Sequence, residues 1–262
     1  MNACHPLLQV QGLSKDFRGL RAVQDLSFKV VAGETVGLIG PNGAGKSTAF
    51  NLICGALKPS AGTVLLAGED ITGLPPSRVV RLGLARTFQS ASVYPQVSVA
   101  ENIYRGAIST LPGSIWTQWR GGASQRTNLT RLRKEVDEVL DLTGLGPVRH
   151  TLAGALPYGL QKKLGVAIGI ATQPKLLLLD EPAAGLNPEE CVAFGDLLRT
   201  LRTERGLTLL LVEHHMALVM NLCDRVVVLV QGRKIADAVP AAVRSDPAVI
   251  EAYLGAPDHA HA

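Results

Sequence analysis

Aromatic side chains are scarce in this sequence, and long apolar runs are missing. Phe, Trp and Tyr together make up 4% of the 262 residues. A basic cluster interleaved with aromatic side chains is typical of nucleic-acid binding, and none is present, so we expect no nucleic-acid partner. No apolar run approaches the roughly 18 residues that a membrane-spanning helix needs. Residues 1–9 carry no basic segment, so we expect no signal peptide and a cytosolic protein.

Cysteine is also rare, and its spacing argues against a metal site. The four cysteines stand at positions 4, 54, 191 and 223, without a C-x-x-C pair. Three of them fall within apolar helical patterns, which is typical of buried, reduced thiols. His259 and His261 lie in a polar tail, and we expect them to be solvated rather than to bind a metal.

The charge of the chain is low, and its small excess is positive. Charged residues make up 18% of the sequence and hydrophobic residues 47%, with a formal net charge of +4. A mild positive charge suits an anionic ligand or a membrane surface. The low charge density also leaves room for an apolar surface patch that contacts a partner protein.

One stretch carries a motif with a known chemical purpose. It matches G-x-x-x-x-G-K-[ST] and consists of Gly40, Pro41, Asn42, Gly43, Ala44, Gly45, Lys46, Ser47 and Thr48. The apolar segment 34–39 before it predicts a buried strand and segment 48–54 after it predicts a helix, which is the context that this motif requires. Glycines let successive N–H groups point at a phosphate, and the helix N-terminus adds a positive dipole end. We therefore expect a nucleotide site in which Lys46 reaches the β- and γ-phosphates and Ser47 binds Mg²⁺.

Strand patterns alternate with helical patterns along most of the chain. Strands are predicted at residues 7–11, 26–30, 62–68, 84–89, 176–179, 207–212, 226–230 and 234–237. Helices are predicted at 77–82, 99–104, 129–142, 160–171, 188–202, 216–223 and, after Asp246 as N-cap and Pro247 as first residue, 248–254. The alternation predicts a mostly parallel sheet with helices on both faces, and segment 7–11 alternates as an edge strand does.

Residues 91–155 interrupt this pattern. They lose the strand signals and include the amphipathic segment 129–142. We interpret them as a helical subdomain inserted into an α/β nucleotide-binding core, residues 1–90 and 156–237, which is followed by a tail, 238–262, with a short helix. Trp116 and Trp119 lie in the insert, where packing within the subdomain is favoured over a contact on the membrane side.

Two carboxylates follow the apolar segment 176–179. Ligands of open α/β sheets bind at the carboxyl ends of strands, so Asp180 is expected to hold Mg²⁺ directly or through water. By strand alternation Glu181 is expected to point the other way, where it can polarise a water against the γ-phosphate as general base. The alternative is a strand end with two solvated acids, and the phosphate loop upstream favours the functional interpretation.

In this order, the motifs resemble those of the nucleotide-binding subunits of ATP-binding cassette (ABC) transporters over nearly the whole chain. The resemblance implies an α/β fold of the P-loop NTPase type, with a RecA-like parallel sheet, an antiparallel β subdomain and an inserted helical subdomain. It implies ATP and Mg²⁺ as cofactors, with Phe17 stacked on adenine and Gln89 sensing Mg²⁺ and contacting the membrane subunit. His214, rather than His215, resembles the histidine that contacts the γ-phosphate, because the family pattern is E-H. Residues 183–188 resemble the loop that crosses the dimer interface.

Residues 156–161 occupy the position of the family signature, which usually reads L-S-G-G-Q. Pro157 replaces the serine whose hydroxyl contacts the γ-phosphate bound by the opposite subunit, and it has neither hydroxyl nor N–H. A lost charge-assisted hydrogen bond is worth roughly 1.5–3 kcal/mol. Gly159 and the following helix N-terminus can still present N–H groups. The residues of this motif that we expect to contact nucleotide are Tyr158, Gly159 and Gln161.

The resemblance implies a dimer that encloses two Mg-ATP between the phosphate loop of one subunit and the signature of the other. The phosphate loop, Glu181 and His214 look intact in this chain, whereas the signature is weakened. We therefore hypothesise that it pairs with a different ATPase subunit that carries a fuller signature. The alternative is that the substitution is tolerated and that a homodimer works at both sites.

Three segments, 180–188, 213–220 and 246–255, resemble the ATPases of branched-chain amino-acid importers. That group implies transmembrane permease subunits, a second ATPase, an indirect partner in a periplasmic or extracellular substrate-binding protein, and a peripheral location on the cytoplasmic face of the cell membrane. Transport of urea or short amides and export of lipopolysaccharide are the alternatives, because the ATPase does not touch the solute. A soluble ABC ATPase of DNA repair or translation is disfavoured by the single cassette, and a non-hydrolysing regulatory subunit by Glu181.

Overall fold

The computed structural model describes residues 6–87, 93–108 and 123–254, and side chains for residues 6–87, 93–108 and 130–253. The described strands are β1 (Leu8–Phe17), β2 (Leu20–Val30), β3 (Thr35–Ile39), β4 (Ala61–Leu66), β5 (Glu69–Asp70), β6 (Leu84–Thr87), β7 (Leu176–Asp180), β8 (Thr208–Val212), β9 (Arg225–Val230) and β10 (Arg233–Ala238). The described α-helices are α1 (Lys46–Ile53), α2 (Pro76–Arg81), α3 (Val99–Ile108), α4 (Ala123–Thr143), α5 (Tyr158–Ala171), α6 (Pro188–Arg205), α7 (Met216–Leu222), α8 (Pro240–Ser245) and α9 (Pro247–Leu254). None of these helices is long and apolar enough to cross a membrane.

The larger of the two sheets contains six strands in the order β10-β9-β3-β8-β7-β6. All neighbours in it are parallel except β10, which runs antiparallel to β9. Strands β3, β7 and β8 are buried along their whole length, as parallel strands are when both faces of the sheet are covered. Alternate residues of β7 accordingly enter two different core clusters, Leu177 and Leu179 on one face and Leu176 and Leu178 on the other. The predicted, mostly parallel α/β fold is thus confirmed, and the carboxyl ends of β3, β7 and β8 lie at one edge.

The smaller sheet is antiparallel and has the order β2-β1-β4-β5. The prediction of an edge strand near residue 8 is wrong, since Leu8 pairs with both Val30 of β2 and Leu66 of β4. Alternation of apolar and polar residues indicates only that one face of a strand is buried. An interior strand of a half-buried sheet therefore has the same pattern as an edge strand. Both β1 and β2 are longer than predicted because a tight turn at Arg18-Gly19 joins them. This turn places Phe17 at the end of the hairpin.

The predicted helical region contains α3 and α4, which pack against each other and against α5. Gly106 of α3 makes a close approach to α5, because a Cβ there would lie 2.6 Å from the carbonyl oxygen of Ile168. Asn102 is buried and satisfied: it accepts a hydrogen bond from the Tyr94 N–H (2.7 Å) and donates to the Ser98 carbonyl (3.0 Å). The boundaries 91–155 stay a prediction, and Trp116 and Trp119 lie outside the described residues. So do His259 and His261 of the tail.

Three described hairpins use the same two-residue turn, and beside Arg18-Gly19 there are two whose surroundings differ. Gln231-Gly232 joins β9 to β10 and Ala67-Gly68 joins β4 to β5, and all four residues have positive φ, as a type I′ turn requires. Gly232 donates its N–H to the Ala44 carbonyl (2.9 Å) and accepts from the Gln24 N–H (2.8 Å). A Cβ at Gly68, by contrast, would meet no atom within 4 Å. The β9–β10 turn therefore connects the phosphate loop to the antiparallel sheet.

Candidate functional site

The phosphate loop follows β3 and ends where α1 begins. Gly40 (φ 151°) and Gly45 (φ 99°) have backbone angles that favour glycine, and both are tightly enclosed. A Cβ would lie 2.0 Å from the Leu229 carbonyl oxygen at Gly40, and 2.3 Å from that of Ala22 at Gly45. No described side chain caps the start of α1. The first N–H groups of this helix are therefore oriented as donors for an anion.

Lys46 is buried at the start of α1, and its ammonium group bonds to its own loop. Nζ donates to the carbonyl oxygens of Gly40 (2.8 Å) and Pro41 (2.9 Å). Burial lowers the pKa of Lys46, and the charge of Glu181 partly offsets this effect. The loop carbonyls and Glu181 thus hold the cation at the place where phosphate oxygens can replace them as partners.

Asp180 ends β7 and is paired with a cation from the neighbouring strand. Its Oδ2 accepts a hydrogen bond from Nη2 of Arg86 in β6 at 2.5 Å, and both side chains are largely buried. The other nitrogen, Nη1, donates to Oδ1 of Asn51 (2.6 Å) and lies 3.3 Å from Sγ of Cys54. Burial alone would lower the pKa of Arg86, but these bonds, led by the one to Asp180, raise it overall. Sequence reasoning missed this pair, because Arg86 was only part of a strand pattern.

Glu181 does not continue the strand, so the argument from strand alternation is wrong. β7 ends at Asp180, and Glu181 takes a left-handed conformation (φ 47°), which is rare for a residue other than glycine. Its N–H donates to the Val212 carbonyl of β8 at 2.9 Å. Its Oε1 lies 3.1 Å from Nε2 of His214. A turn, rather than alternation, directs the carboxylate towards the phosphate loop.

The two histidines after β8 have different positions. Nε2 of His214 contacts Glu181, and its side chain is 43% exposed. Nδ1 of His215 instead accepts from the Leu218 N–H (3.3 Å), which caps α7. The structure thus brings His214, and not His215, to Glu181, as the family pattern predicts.

A cleft of about 820 Å³ joins these groups. The predicted site residues that line it are Phe17, Asn42, Gly43, Ala44, Gly45, Lys46, Ser47, Thr48, Glu181 and His214. Gly40 and Pro41 stand behind this lining and bond Lys46. Further lining residues that carry no sequence motif are Leu20, Arg21, Ala22, Gln24 and Gln231. Gln89 lies outside the described residues.

The signature residues Tyr158, Gly159 and Gln161 do not line this cleft. They lie at the start of α5, where a Cβ at Gly185 would come 2.9 Å from the Tyr158 ring. Nε2 of Gln161 donates to the Leu156 carbonyl at 2.9 Å. These residues can therefore contact only a nucleotide that is bound outside this chain's own cleft.

The oxygens near the loop suit a cation that keeps part of its water shell. The described residues contain no group of three His, Cys, Asp or Glu side chains that could hold a metal. Ser47 lines the cleft, whereas Asp180 ends the strand behind the lining and has its Oδ2 bonded to Arg86, so the oxygen that it can offer to a cation is Oδ1. Two protein oxygens completed by water and phosphate fit Mg²⁺, which binds through few protein ligands.

A Gly-rich loop that opens a helix, with buried strands delivering carboxylates beside it, defines a P-loop nucleotide-binding ATPase. A family model described as "ABC transporter" matches residues 23–184, and one described as "Branched-chain amino acid ATP-binding cassette transporter" matches residues 233–259. The chain belongs to the ABC transporter family.

Three known proteins illustrate the similarity. The high-affinity branched-chain amino acid transport ATP-binding proteins BraF of Pseudomonas aeruginosa and LivG of Escherichia coli K12 are each 40% identical, covering 95% of this chain and 98% of theirs. The crystal structure of the ADP conformation of MJ1267, an ATP-binding cassette of an ABC transporter, matches with a TM-score of 0.82 and 28% identity, covering 96% of this chain and 99% of that one. The chain therefore binds and hydrolyses ATP as part of a transporter with membrane-embedded subunits.

Proposed function

We propose that this chain is the ATPase subunit of an importer for branched-chain amino acids. The observation that carries the proposal is the match of residues 233–259 to the branched-chain amino-acid family model. No described residue of that segment lines the nucleotide cleft, so ATP binding alone does not explain the match. The 40% identity to BraF and LivG over nearly the full length supports the same substrate class.

The residues of the cleft have distinct roles in this proposal. Lys46 and His214 bind the oxygens of the transferred phosphate, over which negative charge is spread in the transition state. Glu181 accepts a hydrogen bond from the attacking water and orients it in line with the γ-phosphate. Phe17 stacks on the adenine ring. The site would hold Mg²⁺ through Ser47, Asp180 and Gln89, and the ion would neutralise charge on the phosphates.

Coupling to transport follows from dimer closure. Two subunits enclose Mg-ATP, and each completes the cleft of the other with its residues 156–161. Because Pro157 cannot donate a hydrogen bond to the γ-phosphate, the second subunit is a different ATPase with a fuller signature. Gln89 and the helical subdomain transmit closure to the permeases at the cytoplasmic face of the membrane, and an external binding protein supplies the solute.

The substrate is tested by uptake of labelled leucine in source cells. Glu181→Gln should abolish leucine uptake and leave uptake of an unrelated solute unchanged, because the amide cannot act as a base. Glu204→Gln is the matched control, since this glutamate is exposed on α6, and it should transport normally. Normal leucine uptake in Glu181→Gln cells, with ATP hydrolysis lost, would refute the substrate class. Urea and short amides would be assayed next.

The pairing is tested with purified chain carrying Glu181→Gln, which should trap an ATP-bound dimer. We expect this chain to stay monomeric alone and to dimerise when the second ATPase is added, as measured by size exclusion with light scattering. A stable homodimer with ATP, together with full ATPase activity of the wild-type chain alone, would refute the heterodimer.

A further inference from the structure

We propose that Glu213 is a positioning residue that holds Glu181 and His214 in their relative geometry. This inference rests on the roles proposed above for those two residues. Glu213 directly follows β8 and is only 2% exposed. No described ion pair involves it, so its carboxylate must be satisfied by hydrogen bonds.

Backbone N–H groups from two segments supply those bonds. Oε1 accepts from the N–H of Ala183 at 2.7 Å. Oε2 accepts from the N–H groups of His214 (3.1 Å) and His215 (3.3 Å). One side chain therefore fastens the segment after Glu181 to the segment that carries His214.

The fastening matters because Glu181 is in a strained conformation. A left-handed residue with a side chain persists only where its surroundings hold it. The N–H of Glu181 is fixed by Val212 of β8 (2.9 Å), and the N–H of Ala183, two residues on, is fixed by Glu213. Both ends of the turn are thus attached to the carboxyl end of β8, and the 3.1 Å contact of Glu181 with His214 spans the same two segments.

The chemistry of a carboxylate suits this position better than that of an amide. An ionised carboxylate only accepts hydrogen bonds, and here it faces three N–H donors. Glutamine has nearly the same shape but would turn an NH₂ group towards one set of donors. Glu213→Gln should therefore release one of the two segments without opening a cavity.

The experiment uses the full-length chain, purified with its transporter partners, and compares Glu213→Gln, Glu213→Asp and the control Glu204→Gln. We expect kcat for ATP hydrolysis to fall about 10- to 100-fold in both Glu213 variants, while KM and the Kd for a fluorescent ATP analogue change less than threefold. Thermal unfolding should stay within a few degrees of wild type, and Glu204→Gln should match wild type throughout.

The split between kcat and nucleotide binding separates positioning from a structural role. If kcat, nucleotide affinity and thermal stability fall together in both Glu213 variants, Glu213 only stabilises the fold and the proposal is wrong. A kcat within threefold of wild type would also overturn it. Glu181→Gln is measured in parallel. If it is inactive while the Glu213 variants behave as wild type, only the positioning role of Glu213 is refuted. If Glu181→Gln is active, the role of Glu181 on which both proposals rest is refuted.

Discussion

Replacing Arg86 by methionine should destabilise this protein far more than breaking a surface ion pair. The side chains of Arg86 and Asp180 are only 12% and 6% exposed, and their contact is 2.5 Å. Methionine fills similar space but leaves the Asp180 carboxylate buried without its cation, and it removes the hydrogen bond to Asn51. Removing one partner of a buried pair typically costs about 3–5 kcal/mol of unfolding free energy. That is at least about a hundredfold in the unfolding equilibrium.

The assay is urea unfolding of the purified chain, with Arg199→Met as the matched control. Arg199 pairs with Asp196 on the exposed side of α6, where a surface pair is worth about 0–1 kcal/mol. The double variant Arg86→Met with Asp180→Asn should lose less unfolding free energy than the sum of the two single changes, because it leaves no unpaired charge, whereas each single change leaves one. If Arg86→Met loses less than about 1 kcal/mol of unfolding free energy, as Arg199→Met is expected to, the idea that the Arg86–Asp180 pair matters more than a surface ion pair is refuted.

Two further changes test the phosphate loop and the interior. Gly45→Ala places a Cβ 2.3 Å from the Ala22 carbonyl oxygen at a φ of 99°. Its loss of unfolding free energy should therefore exceed the roughly 1–2 kcal/mol of a left-handed alanine, and binding of a fluorescent ATP analogue should weaken. Gly33→Ala, whose Cβ meets no atom within 4 Å, should show only the conformational cost in urea unfolding and should bind normally; equal losses would contradict the steric argument. Burial, with the charges of Asp224 and Glu213, raises the pKa of Cys223 to about 12 from its usual 9.0. The folded chain thus keeps the Cys223 thiol protonated. The stability that depends on this proton is complete below pH 9 and is lost as the pH rises towards 12. Cys223→Ala should flatten that part of the stability curve, and rapid alkylation of Cys223 at pH 8.5 in the folded chain would contradict its burial.

Local sequence signals predicted the phosphate loop well, because its residues are consecutive and each backbone angle depends on a glycine at that place. The place of Asp180 and Glu181 at the end of an apolar strand was predictable for the same reason, and their roles in metal binding and catalysis stay predictions. The partners of these carboxylates were not predictable in this way. Arg86 reaches Asp180 only because β6 and β7 are neighbours in the sheet, and no local pattern reports which strands are neighbours.

Hydrophobic periodicity also gave wrong predictions where the backbone leaves the regular strand or helix conformation. Glu181 leaves the strand in a left-handed turn, so strand alternation predicted the wrong geometry for this residue. The short elements β5 and α8 were missed because two and six residues are too few to show a period, and the equally short α2 was predicted only from the prolines at its start. Helix α9 was predicted from its cap, and the Ala248 N–H does donate to Oδ1 of Asp246 at 2.9 Å.

The type I′ turns Ala67-Gly68 and Gln231-Gly232 differ in what they allow when the chain is lengthened. Hairpin tips are ordinarily the places where extra residues, affinity tags or a fluorescent protein can be inserted at little cost. The Ala67-Gly68 tip meets that expectation, since added atoms at Gly68 would enter open space, and the bond from the Ala67 N–H to the Leu7 carbonyl (2.7 Å) lies in the antiparallel sheet rather than at the phosphate loop. At Gln231-Gly232 the backbone already bonds to Ala44 and Gln24, so an insertion there would pull on the phosphate loop itself. Labels for following the assembled transporter should therefore be placed at the first turn, and natural length variation should be absent from the second.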